Sequence, residues 1–294
     1  MIRYYNRITP ALLISDLKLI RKMLVTEKHK YTNCSAYANL FSSVRKNALL
    51  ADLRRTQPLI ECAISEVVAL FKEQIVFAHT KVINLKELFA QAEVAIKKVA
   101  IDDCGLKVVD ELIATTVGNV LYLLANHSDV QEKLMNEIES FGKNSDIDYN
   151  LIAGIKYLES VVHETLRLYP TLSRLEFAAN ENVRLGKAVI TKDMLVAISV
   201  YNVHHDPSEF DLPEKFIPER FMPKCPLSHN SKAFIPTIYP LVCMFEVKLI
   251  LLRLLQKFKF SKCIQTEESL EFLPGQVMTP KSITLAISKR DDHY

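Results

Sequence analysis

Three short stretches carry the residues of this chain that could do chemistry: HETLRLYP at 163–170, FIPERF at 216–221 and SKAFIPTIYPLVCMF from Ser231 to Phe245. In the first, Glu164 and Arg167 stand three positions apart, so on a helix their side chains meet on one face. Left exposed, such a pair contributes roughly a few tenths of a kcal/mol. The neighbours Val161, Val162, Leu166 and Leu168 are apolar, which leaves partial burial open as the other reading. A buried carboxylate and guanidinium need further partners, and Arg220, in PERF beside a rigid proline, can supply one. In the third stretch Cys243 precedes a helix expected to begin around Met244. A thiol there faces the positive end of the helix dipole and free backbone N–H groups, which favour the ionised, metal-binding form. The competing reading is a buried apolar cysteine between Val242 and Met244.

Composition narrows the classes of function. The chain has 294 residues, 49% hydrophobic and 24% charged, enough for a sizeable core and unlike a disordered segment. Thirty-seven Lys and Arg stand against 34 Asp and Glu, a net charge of +3 that is too balanced to make nucleic acid or anionic lipid the main partner. Six cysteines lie scattered without a C-x-x-C spacing, and the start MIRYYNRITP has no uninterrupted apolar run. Both point to a reducing, cytosol-facing chain with free thiols. No stretch reaches the roughly 20 predominantly apolar residues of a membrane span; LILLRLL is broken by Arg253. G-x-S-x-G, P-loop and dinucleotide fingerprints are absent. Adjacent His204 and His205 would point to opposite faces of an extended segment and make a poor metal pair; HHDP reads as a strand end and turn.

The elements that must position these residues are mostly helical. ALLISD reads as a short strand followed by a helix from about Leu17. LIECAISEVVALFKEQIVF keeps Ile60, Ile64, Val67, Val68 and Phe71 at helical spacing. VDELIATTVGNVLYLLANHSDVQEKLMNEIESFG predicts two helices that part at NHSD, with Ser128 or Asp129 as the cap. YLESVVHETLRLYP is a helix stopped at Pro170, and VRLGKAVITKDMLVAISV alternates like strands around Gly186 and Lys192-Asp193. EVKLILLRLLQKFKF predicts a helix, and SITLAISK a strand.

An E-x-x-R helix, a PERF turn and a cysteine shortly after them resemble the C-terminal half of the cytochrome P450 family. The stretches LLANHSDVQEKLMNEI, RLYPTLSRLEFA, HHDPSEFDLPEKFIPERF, EVKLILLRLLQKFKF and the tail from TEESLEF to TPKSITLAISKR look like its animal microsomal branch, with drug-metabolising and thromboxane-synthase-type members. Fainter similarity reaches PALLISDLKLIRKMLV. The resemblance implies a mainly α fold with a smaller β portion, a truncated cytochrome P450-like domain over residues 1–294. It implies that Glu164, Arg167 and Arg220 form a structural triad and that Cys243 is the axial ligand of a haem iron. A thiolate ligand pushes electron density toward iron-bound oxygen. The implied function is haem-thiolate monooxygenation of an apolar substrate with electrons from an NADPH-dependent reductase. Relatives of this branch sit on the endoplasmic reticulum by an N-terminal anchor that this chain does not show. Without an anchor the expected location is cytoplasmic. The alternative is a catalytically inactive fragment or scaffold without productive haem binding.

The chain departs from the family pattern at the sites that matter most for haem. Counting back from Cys243, Leu241 stands where the family has an arginine, and Tyr239 and Thr237 where it has glycines; Phe245 replaces a further glycine, and the loop is one residue short. Glycine there allows backbone to approach a flat ligand, so Tyr239 and Phe245 are expected to crowd the ring or displace the loop. The family's propionate-binding Trp-x-x-x-Arg is replaced by DLRRTQPLI, where Arg54 and Arg55 either substitute or are solvated charges. On the helix that would cover the iron, Thr116 and Glu111 are the candidates for proton relay. Thr115 and Thr116 bonding back to their own helix is the competing reading. The substrate-roof helices are expected to be missing just before Val109, which would leave the distal side open.

Overall fold

The computed structural model describes residues 2–6, 9–33, 64–74, 80–90, 106–141, 149–223, 225–227, 233–237, 241–275 and 277–290, with backbone alone at 3–6, 9–10, 106–110, 149–150 and 241–243. Nine helices are assigned among these residues: α1 Leu17–Arg21, α2 over 64–73, α3 over 85–90, α4 Leu106–Asn126, α5 Ser128–Ser140, α6 Tyr149–Gly154, α7 Lys156–Leu168, α8 Val200–His204 and α9 Leu241–Lys257. Ten strands accompany them: β1 Ile2–Asn6, β2 Thr9–Ile14, β3 Tyr31–Asn33, β4 Thr80–Asn84, β5 Arg174–Ala179, β6 Val183–Leu185, β7 Ala188–Ile190, β8 Leu195–Ser199, β9 Phe258–Ser261 and β10 Thr284–Lys289. The fold is mainly α with a smaller β portion, as the sequence predicts.

The helical part packs around α4, α7 and α9. In α4, Val117, Val120, Leu121 and Leu124 are fully buried, and in α9 Val247, Leu249, Leu251, Leu252, Leu254 and Leu255 are too. A helix apolar on nearly all sides must lie inside a bundle. The strands form a second core. β2 runs parallel to β8, β5 pairs antiparallel with β8, and β1 and β3 close the edges. Two turns in this sheet region use left-handed backbone: Gly186 (φ 60) links β6 to β7, and Asp193 (φ 66) leads into β8. α1 starts as ALLISD suggests, with the Asp16 carboxylate accepting from the backbone N–H of Lys18 and Leu19.

Four sequence expectations are corrected. α4 and α5 do part at NHSD, but neither Ser128 nor Asp129 caps α5; the junction residue is His127, whose Nδ1 bonds the Leu123 carbonyl 2.8 Å away. HHDP opens in a short helix, α8, because Val200 and Val203 must both reach the core beneath it. α9 begins at Leu241, three residues before Met244, and gives way to β9 at Phe258, where Phe258 and Phe260 point into the core and Lys259 outward. That period of two, read over KFKF alone, is too short to compete with the helical pattern before it. Among the described residues no helix is long and apolar enough to cross a membrane.

Candidate functional site

The chemistry-bearing spacing on α7 becomes a buried polar network. Glu164, Arg167 and Arg220 are each fully buried. Arg167 grips the Glu164 carboxylate with two prongs, Nε to Oε2 at 2.8 Å and Nη2 to Oε1 at 2.9 Å. Its other three N–H groups donate to the carbonyls of His204 (2.9 Å), Pro213 (2.7 Å) and Lys215 (3.0 Å). Arg220 donates to Glu164 Oε1 at 3.1 Å and to the Leu212 carbonyl at 2.9 Å. The backbone N–H of Ile217, the residue before Pro218, donates to the same Glu164 oxygen at 2.9 Å. Phe210 lies against the Arg167 guanidinium at 5.3 Å. A buried ion pair persists when its remaining donors and acceptors are largely met; here the 204–217 stretch meets all of Arg167's from its backbone, while Arg220 Nη1 has no partner among the described residues.

His204 carries this network to the segment that leads toward Cys243. Its carbonyl takes Arg167, while its ring Nε2 accepts the backbone N–H of Ile235 at 2.9 Å. The ring lies between Phe234 and Phe210. Burial, then the nearby Arg167 charge, pushes its pKa down to about 3, so the ring is neutral and Nδ1 holds the proton. Two residues on, Thr237 Oγ1 accepts the Thr171 N–H at 3.2 Å and meets Thr171 Oγ1 at 2.9 Å. Thr237, standing where a glycine is expected, is therefore a buried anchor that ties this segment to the turn after α7. Neither His204 nor Thr171 is evident from sequence, since each acts on a partner more than thirty residues away.

Cys243 is the third residue of α9, inside its first turn, where the N–H groups are not used by the helix; its side chain lies outside the described residues. α9 is held to α7 near this end by Lys248, 5% exposed, whose Nζ meets Glu159 Oε2 at 2.8 Å. Burial works to raise the Glu159 carboxyl, yet the hydrogen bond and charge of Lys248 hold it below its usual range. Phe245 is buried within the helical core. Tyr239, Arg54, Arg55 and Gly105 lie outside the described residues; of the stretch between Gly105 and Val109, where the roof helices were expected to be absent, 106–109 are described and form the start of α4.

The residues expected on the oxygen-facing helix are not brought together. Thr116 is fully buried and its hydroxyl donates to the Leu112 carbonyl one turn back, at 2.7 Å. Glu111 is exposed and accepts from Thr279 Oγ1 at 2.9 Å. One turn beyond Thr116, Asn119 is buried with both side-chain amide atoms lacking a hydrogen-bond partner among the described residues. Buried amides are nearly always satisfied, which marks this point of α4 as one where a further polar group is wanted. Among the described residues no cluster of three or more His, Cys, Asp or Glu could hold a bare metal ion.

The comparisons with known proteins agree with this geometry. The family model described as Cytochrome P450 matches residues 111–236, a span that contains Glu164, Arg167 and Arg220 and ends before Cys243. Cytochrome P450 3A7 of Homo sapiens is 35% identical over 196 residues, 62% of this chain and 38% of that relative. Cytochrome P450 3A6 of Oryctolagus cuniculus (34% over 195 residues) and lithocholate 6-beta-hydroxylase of Mesocricetus auratus (35% over 195 residues) cover the same shares. The match thus spans about 38% of the length of these curated relatives. With the matched span enclosing a fully buried E-x-x-R and PERF network, residues 111–236 of this chain match the cytochrome P450 family.

Proposed function

We propose that this chain serves haem-thiolate monooxygenase chemistry, the transfer of one atom of dioxygen to an apolar organic substrate, with electrons from an NADPH-dependent reductase. The observation that supports it most is the continuous run of bonds from Glu164 and Arg167 through His204 to Ile235, with Thr171 holding Thr237, just before the first turn of α9. That run fixes the approach to Cys243, the one donor of this region suited to a haem iron, and the free N–H groups at the start of α9 favour its thiolate. The donor type fits the group. Haem held there would supply oxygen activation, which a thiolate ligand promotes.

The chain's own residues would do the rest. Cys243 would hold the iron. Glu164, Arg167 and Arg220 keep the 204–237 segment in register. On α4 the buried Asn119 amide has both a donor and an acceptor unused among the described residues, while Thr116 is committed to its own helix. The name of the hamster relative refers to lithocholate hydroxylation, in keeping with an apolar, steroid-sized class of substrate. A single domain over 1–294, a cytosol-facing site and association with the endoplasmic reticulum complete the proposal.

One spectrum tests it. Purified protein incubated with haemin and reduced under carbon monoxide should give a thiolate-type absorbance band. Cys243→Ala should abolish it, and Cys225→Ala and Cys263→Ala should leave it intact. Absence of haem uptake, or equal loss in all three variants, would overturn the assignment and favour a scaffold without haem.

A further inference from the structure

Beside the triad, a cluster of aromatic rings joins segments that lie far apart in sequence. His163, on α7 next to Glu164, sets its ring centroid 5.4 Å from that of Phe221 in the PERF turn and 5.2 Å from that of Phe234. Phe221 and Phe234 meet edge to face at 5.0 Å, and Phe234 stacks on the His204 ring at 5.2 Å. Such ring pairs attract beyond the area they bury. Phe234 directly precedes Ile235, whose backbone N–H donates to His204 Nε2. His163 is thus the corner at which α7 grips, by ring contacts, the segment that leads toward Cys243.

The charges around this ring decide which protonation state fits. Glu159 lies one turn before His163 on the same helix face, and its carboxylate is already bonded to Lys248 Nζ of α9 at 2.8 Å. The PERF turn carries Glu219, bonded to Lys133 and Tyr157, and Arg220, bonded to Glu164. The 233–237 segment brings no titratable side chain, and His204, which stacks on Phe234, is neutral. A proton on His163 therefore sets a second cation near the buried Lys248 and draws charge into a site walled by two phenyl rings. Burial, with the Lys248 charge, outweighs the attraction of Glu159 and holds the ring below its ordinary 6.5. We propose that neutral His163 is a positioning residue for the segment before Cys243, and that a proton on its ring releases Phe234 and with it the bond between Ile235 and His204. The consequence for haem rests on the haem-thiolate reading above, whereas the release itself belongs to the haem-free chain.

Amide hydrogen exchange of the full haem-free chain tests the release, read as protection of the Ile235 N–H in the parent and in His163→Phe, which keeps an aromatic ring and cannot titrate. The grip of the neutral ring is complete above about pH 6.5 and lessens below it. The ratio of protection, parent over His163→Phe, should therefore fall by about tenfold between pH 7 and pH 5. His204 takes up its proton only once the segment has opened, in both chains alike, so it cancels from that ratio. The parent's ratio to His163→Gln, a second variant without a titrating group, should fall by the same factor. The Lys192 N–H, held by the Asn182 side chain in the turn before β8, should keep a constant ratio. A ratio at Ile235 equal at both pH values for both variants, or an equal fall at Lys192, would overturn the proposal. In a second arm, haemin affinity followed by absorbance should show the same tenfold change in the ratio of parent to His163→Phe. A constant affinity ratio beside a falling exchange ratio would overturn the role of His163 in positioning the approach to Cys243. A chain that takes up no haemin overturns the monooxygenase reading alone, because the exchange ratio is measured without haem.

Discussion

The stretch from α7 to PERF and the helix α4 are both buried and both carry polar side chains, but they treat those side chains in opposite ways. Around Glu164, all five N–H groups of Arg167 are donated, two to the carboxylate and three to backbone carbonyls. On α4, Thr116 bonds only to its own helix and Asn119 to nothing among the described residues. In the first region the polar groups specify the path of the chain, because each unmet bond would cost desolvation. In the second Thr116 is spent on its own helix and only the Asn119 amide has no bond among the described residues; a group of that kind is the one available to a ligand. The contrast separates polar groups that shape the scaffold from a buried amide with no partner among the described residues.

The sharpest way to break the comparison is to cut one group in each region. Arg167→Ala leaves the Glu164 carboxylate buried beside only Arg220 and Ile217, so it should cost about 3–5 kcal/mol in urea unfolding. Thr116→Val removes a bond that the Leu112 carbonyl can spare, at about 1 kcal/mol or less. Equal costs would show that the two regions are not distinct.

A smaller effect probes the link between the triad and the segment before Cys243. The His204 ring has its folded pKa pushed down to about 3 from an ordinary 6.5. The unfolded chain therefore takes up the proton first. The stability this ring contributes is complete above about pH 6.5 and falls as pH drops toward about 3, by at most about 1.4 kcal/mol per pH unit. His204→Gln keeps an acceptor for the Ile235 N–H without a titrating group. It should flatten that limb of the melting temperature against pH while changing the value above pH 7 little. An unchanged slope would mean that other groups dominate acid unfolding.

The smallest effect sharpens the other half of the comparison. Asn119→Leu replaces an unsatisfied amide with an apolar side chain of similar size, and should raise stability by about 1 kcal/mol. Thermal unfolding of the haem-free chain measures it directly. A loss of stability would place Asn119 in a structural bond and remove it from the reacting side.

The sequence by itself determined the helices and strands with a long or repeated pattern, and it determined the residues of the triad. Glu164 and Arg167 share one helix face whatever surrounds them, and PERF brings Arg220 with a proline-fixed backbone. It also determined the likeness to the cytochrome P450 family, through spacing and local order. Only the tertiary structure decided what these residues do with one another. His204 read as part of a turn until the fold set its ring against Ile235. Thr237 read as a missing glycine until Thr171 met it. The meeting of His163 with Phe221 and Phe234 could not be seen at all. The physical reason is the same in each case: intrahelical geometry is fixed by neighbours three or four residues away, whereas burial and hydrogen-bond partners are chosen by segments that meet only when the chain has folded.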